Sequence, residues 1–83
     1  MAYSIAYKNS VQHDLRKLDK DIARNLLDAL ERELAVHARA HPLLKGEFAG
    51  LRKLRIGNYR IIYAILGDEV LVLRIRHRKD VYR

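Results

Sequence analysis

The apolar residues of this chain change their spacing at one place, around its single proline, Pro42. Before it, Ile22, Leu26, Leu30 and Leu34 recur every fourth residue, with Ala23 and Leu27 beside them. That spacing gathers them on one side of a helix. The residue before a proline avoids helical geometry, so the helix is expected to end near Ala38–Ala40, just ahead of His41. After Pro42 the apolar residues alternate, or run together in β-branched and aromatic stretches, as strands require. Helix first and sheet second is the pattern of an α+β fold.

The remaining elements follow from local signals. Tyr3, Ile5 and Tyr7 alternate with Ser4, Ala6 and Lys8, which reads as a strand over residues 2–8. Asn9 or Ser10 is placed to cap a first helix carrying Val11, Leu15 and Leu18, and Asp19 to cap the second. The stretch Pro42–Gly50 holds Leu43, Leu44 and two glycines, too apolar for a flexible linker, and is expected to pack across an edge of the core. Leu51–Ile56, Tyr59–Leu66 and Glu69–Arg76 read as strands, the first two separated by a turn at Gly57-Asn58 and the last two by Gly67-Asp68, the best hairpin signal in the chain, where glycine supplies the positive φ of a tight primed turn. The order is β-α-α-β-β-β, a single domain over residues 1–83. Two N-terminal helices should pack on one face of an antiparallel-rich four-stranded sheet, because each apolar stripe must be buried against something. The other face is left without a cover.

Composition removes several classes of function. There is no cysteine, so no disulfide, thiolate nucleophile or cysteine zinc site is available. The longest apolar run, Ile61–Leu66, is far short of the roughly 18 residues that span a bilayer. The N-terminus lacks a basic start followed by a long apolar stretch, so no secretory signal is read there and a cytoplasmic location is expected. His37 and His41 are four apart, but no third ligand lies near them in sequence, and no metal or cofactor is expected.

The charge is uneven. Residues 1–42 carry 7 basic and 6 acidic side chains, a net of +1, whereas residues 43–83 carry 10 and 4, a net of +6. An imbalance of this kind suits a polyanionic partner facing the second half. Lys53 and Arg55 share one side of their strand, with Arg52 on the other. On the last strand Arg74, Arg76 and Arg78 share the side away from Leu71, Leu73, Ile75 and the helices, and strict alternation puts His77 towards the core. Tyr59, Tyr63 and Tyr82 are interleaved with these cations. Two readings stand. Arginine forks could clamp phosphates while tyrosines stack on bases, or the uncovered face is simply solvated by Lys and Arg, which also discourage edge pairing.

The string Leu44-Lys45-Gly46, Leu51–Arg55, Tyr59-Arg60 and His77-Arg78-Lys79-Asp80-Val81-Tyr82 resembles toxins of the RelE/ParE superfamily, most closely the RelE branch. The resemblance covers nearly the whole chain and includes the β-α-α-β-β-β order. It implies a toxin that cleaves messenger RNA in the ribosomal A site without metal and is held inactive by a cognate RelB-like antitoxin. Carried onto this sequence, it makes Lys53 a base or electrostatic helper, Arg60 and Arg78 the phosphate-binding arginines, and Tyr82 the aromatic that stacks or assists proton transfer. His77 is either a hydrogen-bonded positioning residue or an acid–base group, since imidazole exchanges its proton near neutrality. Arg52, Arg55, Tyr59, Arg74 and Arg76 are the accompanying RNA-binding candidates, and Lys53 and Arg55 could exchange roles. Leu51 standing near a catalytic-lysine position, and an end one residue after Tyr82, allow a slow or weakly active enzyme. The alternatives are a ParE-like ligand of DNA gyrase and a catalytically weak nucleic-acid binder.

Overall fold

The computed structural model describes residues 2–46 and 50–81. Strand β1 (Ser4–Tyr7) leads into helix α1 (Asn9–Arg16) and the longer α2 (Lys20–His37), which closes in a 3₁₀ turn over Ala38–Ala40. Strands β2 (Arg52–Ile56), β3 (Tyr59–Leu66) and β4 (Glu69–His77) follow, and a single helical turn, α3 (Arg78–Val81), comes last. The sheet order is β1-β4-β3-β2, with β1 parallel to β4 and the other pairs antiparallel. This is the expected mixed α+β layer structure, with two helices on one face of a four-stranded sheet.

Leu26, Leu30 and Leu34 of α2 are buried against Leu54, Ile61, Tyr63, Val70, Val72 and Ile75 of the sheet. The stripe does not extend to Ile22, which is 42% exposed in the first turn of α2. The two hairpin turns carry glycine at their first central position, Gly57 at φ +57° and Gly67 at +61°, and among the described residues no other residue type has positive φ. That is the II′ pattern, whose twist matches the flanking strands. Neither Asn9 nor Ser10 caps α1, whose N-cap is Lys8, and Asp19 sits at the N-cap of α2 without a side-chain hydrogen bond. The segment after Pro42 covers the outer edge of β2 as expected: Leu44 N–H donates to Leu51 C=O at 2.8 Å and Lys53 N–H to Pro42 C=O at 3.1 Å.

Tyr63 is fully buried at the centre of the core, and its hydroxyl donates to the Ala38 carbonyl at 2.6 Å. Burial pushes this phenol from 10 up to about 12, against a smaller opposing effect of the Arg52 charge. A raised phenol favours the fold below pH 10, where both states are protonated, and that contribution is lost as the pH rises from 10 through about 12. Tyr7, beside Glu31, is raised in the same direction by burial and by that hydrogen bond. The urea midpoint is therefore expected to fall steeply over this window. Tyr63→Phe should lose about 1 kcal/mol at pH 7 with the hydrogen bond, yet decline less between pH 10 and 12. Parallel curves for the two proteins would contradict this.

One irregularity sets the faces of β4. Ile62 pairs with Arg74 but Tyr63 pairs with Val72, so Leu73 is an extra residue, a β-bulge. An inserted residue reverses the alternation on either side of it. Val70 and Val72 before the bulge, and Ile75 after it, are the buried positions. The expectation that Leu71, Leu73 and Ile75 form one inward row is thus corrected: Leu71 pairs with Ala6 and Ala64 on the opposite face, and only Ile75 points to the core.

β1 is short, and it pairs with β4 only from Glu69 to Val72. Beyond Val72 the edge of β4 would expose unpaired peptide groups, which a fold must satisfy. Helix α1 does so with side chains. Ser10 Oγ donates to Leu73 C=O at 2.6 Å, and four residues on, Asp14 Oδ2 accepts from Ile75 N–H at 2.9 Å. A hydroxyl and a carboxylate one turn apart thereby continue the work of the missing strand.

Candidate nucleic-acid interface

On the sheet face opposite the helices, Arg55 pairs with Arg60, and Arg60 pairs with Arg76. Three arginines therefore stand side by side across β2, β3 and β4. Lys53 lies two residues before Arg55 and so on the same face. Opposed side chains in neighbouring strands start about 4.5–5.5 Å apart at Cβ, and like charges at that spacing repel. Among the described residues the ion pairs are His41–Glu33 and Arg74–Asp14, so no carboxylate neutralises the row. An arrangement that costs the fold some stability and presents several guanidinium forks is suited to phosphate oxygens.

The other cationic candidates are held elsewhere. Arg52 is on the helix side of β2, where its Nη1 donates to the carbonyls of His41 at 2.7 Å and Arg39 at 3.2 Å. It closes the C-terminal end of α2, where carbonyls lack helical partners. Arg74 grips Asp14 with two hydrogen bonds, Nε to Oδ2 at 3.1 Å and Nη2 to Oδ1 at 2.8 Å. Asp14, 7% exposed, is the important residue that pattern reading missed. The available signal was the i, i+4 pair Ser10 and Asp14 on the core side of a short helix. His41 is turned to Glu33, 2.8 Å away, rather than towards His37.

The aromatic candidates also leave the row. Tyr59 and His77 are register partners on the helix side, packed edge to face with ring centres 5.1 Å apart. His77 Nδ1 accepts from Lys79 N–H at 3.1 Å, which fixes the start of α3. The expectation that Arg78 continues the β4 alternation with Arg74 and Arg76 is corrected, because the strand ends at His77. Arg78 instead opens α3, is exposed, and donates its backbone N–H to Asn58 C=O at 2.6 Å. It is thereby tied to the β2–β3 turn, two residues from Arg60. Tyr82 lies outside the described residues.

The sequence profile of the family described as "ParE toxin of type II toxin-antitoxin system, parDE" matches residues 5–82. Toxin RelG of Mycobacterium tuberculosis is 31% identical over the whole of this chain and 99% of its own length. The chain belongs to the RelE/ParE superfamily of type II toxins.

Solved structures agree. In the RelBE2 toxin–antitoxin complex of Mycobacterium tuberculosis, a chain superposes with a TM-score of 0.84 at 27% identity, covering 94% of this toxin and 93% of that chain. The intact RelBE toxin–antitoxin complex of E. coli gives 0.70 at 20% identity, with coverage of 92% and 96%, which speaks to the fold alone. The toxin fold therefore brings Lys53, Arg55, Arg60 and Arg76 together on one open face with Arg78 at its end. It puts Arg52, Tyr59 and His77 on the helix side, and it turns Arg74, which shares the open face by its pairing with Ile62, towards Asp14. No helix is long and apolar enough to cross a membrane among the described residues.

Proposed function

We propose that this toxin is a ribosome-dependent endoribonuclease that cuts messenger RNA in the A site by attack of a ribose 2′-hydroxyl on the adjacent phosphate. The observation that supports the reading is the row Arg55–Arg60–Arg76, with Lys53 beside it, which no carboxylate among the described residues neutralises. In this reaction a bond forms from O2′ to phosphorus and the bond from phosphorus to O5′ breaks. The products are a 2′,3′-cyclic phosphate and a 5′-hydroxyl end. The protein must help remove the 2′ proton, stabilise charge on the phosphorane and let a proton reach the departing O5′. Arg60, at the centre of the row, and Arg78 at its end hold the phosphate oxygens. Lys53 and Arg55 assist deprotonation or neutralise the developing charge. Tyr82 is the remaining proton-carrying candidate, while His77, whose Nδ1 is occupied by Lys79 N–H, positions Arg78.

A flat cationic face neither encloses RNA nor aligns O2′, phosphorus and O5′. The ribosome supplies that alignment, which is worth several orders of magnitude in rate. The same face gives a RelB-like antitoxin, the partner class seen in the related complexes, a surface to mask. The ParE family description favours a second reading, in which the toxin acts as a protein ligand of DNA gyrase.

One experiment decides between them. Purified toxin is added to a translating extract and to a gyrase supercoiling assay, and messenger 5′ ends are mapped. Codon-phased cuts with unimpaired supercoiling are expected. Intact message with inhibited gyrase would move the assignment to the second reading, and neither effect would leave only a nucleic-acid binder.

A further inference from the structure

A groove of about 400 Å³ lies at the β4 edge of the sheet, between the end of α1 and the last residues of β4. It is lined by Asp14, Lys17, Tyr59, Arg74, Arg76 and His77, among others. Its volume is in the range of small-molecule sites, about 300–1,000 Å³. We propose that this groove is a binding subsite for a nucleotide of single-stranded RNA flanking the cut, reached past the edge of β4 beyond Ile75, where the contacts of α1 end. The inference rests on the nuclease reading for its occupant but on different residues for its support.

Three observations carry it. The first is charge: Lys17, Arg74 and Arg76 outnumber Asp14, giving +2 with His77 neutral. Both oxygens of Asp14 already accept hydrogen bonds from Arg74 and Ile75, so its negative charge is answered internally. The second is the pair of aromatic rings, Tyr59 and His77, in the same lining. Nucleic-acid sites that ignore sequence combine cationic side chains with rings on which bases stack. Because His77 Nδ1 accepts from Lys79 N–H, its neutral ring carries the proton on Nε2, a donor for a base or phosphate.

The third is continuity. Arg76 belongs both to the cationic row and to the groove lining. This is possible because β1 stops pairing at Val72, which leaves β4 as the sheet edge at Arg76. A strand lying on Arg55, Arg60 and Arg76 can therefore turn past that edge without crossing a neighbouring strand. RNA is favoured over an acidic peptide because the groove offers rings as well as cations, and because it continues from the row.

The test uses an RNA hexanucleotide with 2′-O-methyl groups throughout, which cannot be cut, titrated into the free toxin and followed by NMR. The Tyr59 and His77 ring signals and the Lys17 amide are expected to move together with the Arg60 and Arg76 amides. Lys17→Glu, an exposed change next to α1, should weaken binding roughly tenfold, and Lys17→Ala should lower the salt slope by nearly one contact. Shifts confined to Lys53, Arg55 and Arg60, with the groove signals unmoved, overturn the subsite and leave the nuclease reading standing. Displacement of the RNA from the groove but not from the row by an equimolar poly-glutamate peptide also overturns it. If the groove fills while the translating extract shows no cuts, the subsite stands and the nuclease reading falls.

Discussion

Asp14→Ala is expected to lower the folding free energy by about 3 kcal/mol, from a total that for a domain of this size is on the order of 5–10 kcal/mol. Asp14 is the only buried charged residue among the described ones. It accepts three hydrogen bonds, two from Arg74 and one from the Ile75 amide of the β4 edge. Alanine leaves that amide without a partner where water is excluded, a loss of about 1–3 kcal/mol. It also leaves the Arg74 guanidinium unpaired, though Arg74 is 41% exposed on its side chain, so water recovers part of that loss. Asp14→Asn keeps an acceptor for Ile75 and should lose roughly half as much. Urea unfolding of the single and double variants with Arg74→Met gives the coupling directly. A loss below about 1 kcal/mol for Asp14→Ala would show that another group or solvent satisfies the edge.

Arg60→Ala should reduce messenger cleavage by about 10²–10³-fold while leaving the fold as stable as before, or more so. The loss of rate is that of removing one preorganised donor from a developing anion. The gain or neutrality in stability follows because Arg60 stands between Arg55 and Arg76, and removing the middle charge relieves two like-charge contacts of about 0.2–1 kcal/mol each. Activity and stability moving in opposite directions is the signature of a side chain kept for its ligand rather than for packing. The phased cuts in the extract and the urea midpoint are measured on the same preparation. A variant that cuts at the wild-type rate removes Arg60 from the site. A variant that unfolds shows that the row has a structural role. Lys53→Ala tests the neighbouring position, and a smaller loss than for Arg60 is expected if it only neutralises charge.

Much of this is legible in the sequence. The stripe through Leu26, Leu30 and Leu34, the stop at Pro42 and the two glycine turns place the elements to within a residue or two, since each depends on local backbone preference. The parity of Lys53 and Arg55 against Arg52 was also readable, because β2 is regular. What resisted reading was every consequence of the Leu73 bulge. A bulge is stabilised by pairing between strands, so alternation counted along β4 alone misplaces Leu71 relative to Ile75. Likewise Arg74 looks like a free surface cation in sequence, and its engagement depends on an aspartate 60 residues away.

Sequence alone determined the two main helices, the four strands and that the second half carries the positive charge, because propensity, turn chemistry and net charge act over short distances. The closing turn α3, which takes Arg78 out of the β4 alternation, was not determined by it. Only the tertiary structure decided which cations share a face and which are tied to the protein's own carbonyls and carboxylate. The physical reason is that strand register and edge satisfaction are long-range choices: β1 pairs with β4 only up to Val72, α1 answers part of the edge that remains, and Arg55, Arg60 and Arg76 are left as the row with no ion-pair partner among the described residues.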